Sequence, residues 1–155
     1  MTFINVNEDP LGSSYTAIQS KIAVGSGGLF GKGLYEGTQN RLNFVPEHHT
    51  DFIFCVVAEE GGFFASCAVL FLFALLIVLS LSVIRKTTDP EARLLAAGIT
   101  AMLVFQIFIN IGMTIGLCPI TGLPLPFLSY GGSSLLTYLV AYGFLVSIYK
   151  ERSIF

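Results

Sequence analysis

From Gly61 to Ile84 the chain reads "GGFFASCAVLFLFALLIVLSLSVI", 24 residues without one charged side chain. A helix rises 1.5 Å per residue, so such a stretch reaches about 36 Å, more than the roughly 30 Å of hydrocarbon in a bilayer. Leu94 to Leu117 is a second uncharged run of similar reach, and Ser133 to Tyr149 is a shorter third. Pro119 to Gly132, just ahead of the third, is also uncharged and can enter a membrane as irregular backbone packed within protein. The expected fold class is therefore an all-α polytopic membrane protein. Its membrane domain covers residues 51–155, with spans at about 61–84, 94–117 and 133–149, and a long loop of residues 1–50 precedes it.

Composition agrees. Hydrophobic residues make up 54% of the chain and charged residues 12%, against about 25% charged in an ordinary soluble domain. The net charge of -2 carries no basic footprint, which excludes nucleic acid as a partner. Cys55, Cys67 and Cys118 are odd in number and form no C-x-x-C pair, so neither a disulfide framework nor a zinc site is expected.

The short loop between the first two spans holds Arg85, Lys86 and Arg93, and Lys150 and Arg152 follow the third. The positive-inside rule puts these ends in the cytoplasm, and residues 1–50 and the segment around 114–132 outside. Lys21, Lys32 and Arg41 in the long loop run against the rule, but short loops dominate it. The start, "MTFINVNEDPLGSS", lacks the basic and apolar regions of a signal peptide. Three spans with an exterior N-terminus need something ahead of them to carry the loop across. The chain is thus expected to be the back portion of a longer protein, or to pair with one.

Chemistry-bearing residues gather beside the first span, in "NFVPEHHTDFIFCVVAEE". If a helix runs on from Pro46, Glu47, Asp51, Cys55, Ala58, Gly62 and Ala65 share one stripe, and beyond Asp51 that stripe holds only small side chains. Small residues mark where another helix or a cavity comes close. An acidic group facing a bundle interior is costly and points to function; alternatively, Glu47 and Asp51 favour a helix N-terminus and stay in water. Glu59 lies at the stripe's edge and Glu60 nearly opposite Asp51, and one of them can pair with a loop cation such as Lys32 or Arg41. His48 and His49 are adjacent, so on a helix they diverge and make a poor metal pair.

Gly25 to Gly33, "GSGGLFGKG", fails both the Walker and the G-x-G-x-x-G patterns. It is either a nest of backbone N–H groups that, with Lys32, holds a pyrophosphate, or a flexible loop. "GLPLPFLSYGGSS", Gly122 to Ser134, cannot be one continuous helix. It suits a re-entrant turn, with Ser133 or Ser134 capping the third span, or a tight structural turn. Gln106 and Asn110, one turn apart in the second span, are interhelical hydrogen-bond partners or part of a substrate path.

Taken together, "DPLGSSYTAIQSKIAVGSGGLFGKGLYEGTQNRLNFVPEHHTDFIFCVVAEEGG" and "LPLPFLSYGGSS" resemble the large extracytoplasmic loop, the following helix and the last extracytoplasmic loop of the SEDS family, whose branches are RodA, FtsW and SpoVE. The wording "QSKIAVGSGG", "GKG", "GTQ" and "HTDFIF" is closer to the RodA elongation branch. The resemblance implies a multi-pass protein of the bacterial plasma membrane, with the loop outside and the C-terminus cytoplasmic. It implies a peptidoglycan glycosyltransferase that polymerises lipid II into glycan strands for cell-wall elongation and cell shape. A class B penicillin-binding transpeptidase and other elongation-complex membrane proteins are its implied partners. The chain matches only the family's final spans and the loop before them, so a truncated or split form is expected; a lipid II flippase, or an inactive fragment, are the alternatives.

By the same resemblance Asp51 is the catalytic acidic residue. Gln19, Lys21, Lys32, Gln39, Arg41, Glu47, Glu59, Ser129, Tyr130 and Gly131 are candidates for holding substrate. No tightly bound cofactor is implied, and a divalent cation is compatible with a pyrophosphate substrate.

The topology has a direct test. In intact cells a membrane-impermeant maleimide should label a Thr38→Cys chain, and should label a Thr88→Cys chain only after permeabilisation. The reverse pattern would overturn the assigned orientation.

Overall fold

A computed structural model describes residues 13–33 and 51–151. Four helices carry the fold: α1 Ser13–Ser26, α2 Ile53–Lys86, α3 Pro90–Thr114 and α4 Gly132–Glu151. No strand occurs among the described residues. The last three helices are long and apolar enough to cross a membrane. The spans read from the sequence fall inside them, with α2 starting eight residues before the expected Gly61.

Local sequence sets the helix ends. Arg85 and Lys86 occupy the last turn of α2, where cations complement the helix dipole. Three residues later Asp89 caps α3, its carboxylate accepting from the Ala92 N–H at 3.0 Å, and Pro90 takes the first helical position. The tight 87–89 turn makes α2 and α3 antiparallel neighbours. At the far end α3 stops at Thr114, and the Leu117 and Cys118 amides return to the Gly112 carbonyl.

α2 and α3 pack through Phe54, Phe73 and Ile107, joined by Leu125 from the segment between α3 and α4. Where the helices close lower down, hydroxyls are buried but satisfied within their own helix: Ser80 donates to the Leu76 carbonyl and Thr100 to that of Ala96. This removes the cost of a bare hydroxyl in an apolar setting. Outward faces stay apolar, with Phe71, Phe105, Phe108 and Leu136 all exposed. Such surfaces suit a lipid or protein environment rather than water.

α1 falls within the segment expected as a loop, and it docks on the bundle. Ala23 packs with Phe52 and Cys55, and the Ser20 hydroxyl donates to the Thr114 carbonyl at 3.1 Å. The predicted small-residue stripe is where this contact forms. Cys55, Ala58 and Gly62 are buried on α2, and Gly27 lies against the Ala58 carbonyl with no room for a β-carbon. Residues 51 and 52 form a turn and the helix begins at Ile53, so Asp51 stands ahead of α2 rather than on its stripe.

α2 is broken at Gly62, whose backbone (φ 67°, ψ -161°) is not helical. In a continuous helix the Phe63 and Phe64 amides would donate to the Glu59 and Glu60 carbonyls. Here Phe63 N–H donates to the Gly28 carbonyl (2.9 Å) and Phe64 N–H to that of Leu29 (3.4 Å), while the Glu59 and Glu60 carbonyls accept from Lys32 N–H (3.0 Å) and Gly33 N–H (3.2 Å). The glycine turn after α1 thus supplies the hydrogen bonds the break releases. The 24 residues from Phe63 to Lys86 still reach about 36 Å, enough to span alone.

Gly62→Ala should destabilise the fold by roughly 2–4 kcal/mol, because a β-carbon adds left-handed strain and overpacks against the Gly31 amide. Gly98→Ala on α3, where a β-carbon meets nothing within 4 Å, should be neutral or slightly stabilising. Thermal unfolding of the two variants in detergent checks the contrast.

Candidate active site

Most of the residues singled out in the sequence lie at the end of the bundle opposite the 87–89 turn. Asp51 is half-buried there. Its backbone is held by the Asn110 carboxamide, which donates to the Asp51 carbonyl at 2.9 Å and to the Leu123 carbonyl at 2.7 Å. Asn110 itself is fully buried. The Asp51 carboxylate lies beside Gly122, where a β-carbon would come within 3.3 Å of Oδ2. Gly122 has φ 68°, the left-handed region that favours glycine, and this lets the chain pass close to the carboxylate. The half-buried Asp51 carboxylate thus stands on a backbone held by Asn110, with the Gly122 main chain close beside it.

A second charged locus sits at the break in α2. Glu59 is buried, and its Oε1 lies 3.0 Å from Lys32 Nζ, whose side chain is 29% exposed. Lys32, one of the two loop cations that sequence offered as partners, is found there. The pyrophosphate nest is not what the glycine run forms. The amides of Gly31, Lys32 and Gly33 are donated to the carbonyls of Gly27, Glu59 and Glu60. An anion would have to break the link between the turn and α2 to reach them. The flexible-loop alternative fails for the same reason, since the run is a docked turn.

Ser129, Tyr130 and Gly131 line an open cleft of about 780 Å³ with Ile53, Phe127 and Leu135. Ser129 is buried and its Oγ accepts from the Leu125 N–H at 2.6 Å, which folds the segment back on itself. Tyr130 is 83% exposed. Phe127 takes φ 63°, unusual for a side chain of its size, and its ring packs against Tyr138 and Tyr142. The Ser134 hydroxyl donates to the Gly131 carbonyl and so does not serve as the expected cap of α4. Ile53 ties the cleft to Asp51, two residues away in the chain.

Lys21 extends over Gly116, placing α1 against the end of α3. Gln19 is half-buried, and its Oε1 is enclosed. Gln39, Arg41, Glu47, His48 and His49 lie outside the described residues. Among the described residues no group of three His, Cys, Asp or Glu side chains could hold a metal. The sequence marked Asn110 only as a polar residue in an apolar span. Its actual partners, two backbone carbonyls far apart in the chain, have no signature in residue spacing.

Comparison with known proteins matches residues 1–154 to the cell cycle protein family of FtsW, RodA and SpoVE. The chain is 45% identical over 152 residues to the peptidoglycan glycosyltransferase MrdB of Escherichia coli, a match covering 98% of the chain and 41% of MrdB. It is likewise 45% identical to the stage V sporulation protein E of Bacillus subtilis, covering 95% of the chain and 40% of that protein. A solved structure of a peptidoglycan synthase complex that coordinates polymerization and crosslinking aligns with a TM-score of 0.79 at 30% identity, over 97% of the chain and 40% of its counterpart. The chain thus spans about 40% of the length of these relatives.

Lys32→Met should cost roughly 2–4 kcal/mol by removing the cation that faces the buried Glu59 carboxylate, discounted because Lys32 is partly solvated. The pair Lys32→Met with Glu59→Gln should recover most of that loss. A double-mutant cycle on thermal stability reads the coupling, and additive losses would show that the pair does not hold the turn to α2.

Proposed function

The chain belongs to the FtsW, RodA and SpoVE family, the SEDS membrane proteins, and on that premise we propose that it carries the catalytic end of a glycosyltransferase that polymerises lipid II into peptidoglycan glycan strands. The single observation that carries the assignment of roles is the half-buried Asp51 carboxylate beside Gly122, on a backbone pinned by Asn110. MrdB, a peptidoglycan glycosyltransferase sharing 45% of its aligned residues with the chain, supports the activity. Because the chain covers about 40% of such relatives, the reaction is proposed for the assembled membrane enzyme that contains it.

In the proposed step the Asp51 carboxylate takes the proton of the acceptor sugar's 4-hydroxyl. The resulting oxygen attacks the anomeric carbon of the donor sugar, forming the new glycosidic bond. The bond from that carbon to the pyrophosphate oxygen breaks, and undecaprenyl pyrophosphate leaves with the electron pair. Pyrophosphate is a good leaving group, so proton removal and charge stabilisation are the demanding tasks. Lys21, at the rim of α1, is a candidate for meeting the departing charge. Lys32 is engaged with Glu59, and the Lys32 and Gly33 amides with the Glu59 and Glu60 carbonyls, so they are not assigned that role. No cofactor held by the protein enters the step, and any divalent cation would arrive on the pyrophosphate itself.

On this proposal the Asp51 end of the bundle faces outward and the Arg85, Lys86 and Arg93 turn faces the cytoplasm, as short-loop charge favours. A class B penicillin-binding transpeptidase is the proposed partner. The fold match to a complex that couples polymerization with crosslinking supports it.

Membranes containing the assembled enzyme of which this chain is part, supplied with lipid II, should form glycan polymer. Asp51→Asn should lower the rate by about 10²–10⁴-fold with the protein level unchanged. Polymer formed at the wild-type rate would remove Asp51 from the step. Movement of lipid II across the membrane without any polymer would favour a transporter instead.

A further inference from the structure

We propose that Asn110 is the positioning residue for Asp51; this rests on Asp51 being the proton acceptor. Asn110 sits near the end of α3 and is fully buried. Its Nδ2 is the common point of two hydrogen bonds that reach the Asp51 carbonyl (2.9 Å) and the Leu123 carbonyl (2.7 Å). Those carbonyls belong to separate segments, the turn before α2 and the irregular stretch between α3 and α4. Nothing in the chain's connectivity requires them to lie side by side.

The chemistry selects this residue type. Both partners are acceptors only, so the group between them must offer two N–H donors from one nitrogen. That settles which end of the carboxamide faces them, since a flipped amide would set three oxygens together. Asn110 Oδ1 is buried and has no hydrogen-bond partner among the described residues. An acceptor left bare in an apolar span is costly. The residue is kept in an orientation that serves Asp51 and Leu123 rather than its own oxygen.

The tether fixes what the carboxylate faces. Leu123 follows Gly122, and a β-carbon on Gly122 would come within 3.3 Å of Asp51 Oδ2. Holding the Asp51 and Leu123 carbonyls on one nitrogen therefore sets the spacing between the carboxylate and the Gly122 backbone. Phe52, the next residue after Asp51, is buried with Ala23 and Cys55 and limits rotation on the other side. Asn110 touches no reacting atom. It acts through the backbone of the residue that does.

Geometry and activity are tested separately. In a full chain whose Cys55, Cys67 and Cys118 are alanine, Asp51→Cys with Gly122→Cys should form a disulfide under mild oxidation. Adding Asn110→Leu, which keeps bulk and removes both donors, should slow that disulfide several-fold at a temperature where thermal unfolding in detergent shows both chains still folded. In membranes supplied with lipid II, Asn110→Leu alone should lower kcat by about 10²-fold with KM within about twofold, the signature of a misplaced group rather than lost binding. Asn110→Asp, which has no donor when ionised, should behave alike. A disulfide that forms equally fast without Asn110 would overturn the proposal, as would a kcat unchanged in Asn110→Leu. Wild-type membranes that make no polymer would instead refute the polymerase assignment, and the disulfide rate would then decide the tether alone.

Discussion

The exchange of backbone hydrogen bonds at Gly62 is the constraint on which the rest of the structure depends. Breaking a long apolar helix near its end frees two amides and two carbonyls, and each left bare in hydrocarbon costs several kcal/mol. Water could satisfy them only by entering the protein. The turn at residues 27–33 satisfies all four through Gly28, Leu29, Lys32 and Gly33. The break and the turn therefore stand or fall together. Because the turn continues α1, the exchange also anchors α1 over the ends of α2 and α3.

That anchoring explains the placement of charge. Lys32 reaches Glu59 because its own amide is already bound to the Glu59 carbonyl, so the ion pair closes a contact the backbone has begun. A buried ion pair alone is weak evidence for stability. Its value here is in fixing which turn meets which stretch of helix. A comparable arrangement holds Asp51, with one side chain on α3 joining two stretches of irregular backbone that no ladder or helix would otherwise hold. In both places polar groups in an apolar fold are spent on shape, and at Asp51 that shape sets the surroundings of a carboxylate.

Legibility in the sequence followed the length scale of the cause. The three spans were readable because absence of charge over some twenty residues is a local property with few explanations. The stripe of Cys55, Ala58 and Gly62 was readable too, since helical phase is local and small residues record close approach. The start of α2 was placed too late because the charged Glu59 and Glu60 end the uncharged run at Gly61, whereas the helix continues past them back to Ile53. The glycine run misled in another way. Its composition permits an anion nest, but amides that could hold phosphate can equally hold carbonyls, and composition does not say which acceptor arrives first.

Sequence by itself determined that this chain is helical, that it belongs in a membrane, and that a group of acidic residues sits beside a small-residue stripe at the start of its first span. These follow from hydrophobic length and periodicity, which depend only on near neighbours along the chain. Tertiary structure alone decided that Gly62 breaks its helix, that Lys32 meets Glu59, and that Asn110 joins Asp51 to Leu123. Each is a pairing between segments 13 to 59 residues apart, where many partners are chemically acceptable. Only packing the helices chooses among them, because a polar group buried in an apolar fold must take the partner that geometry brings within reach.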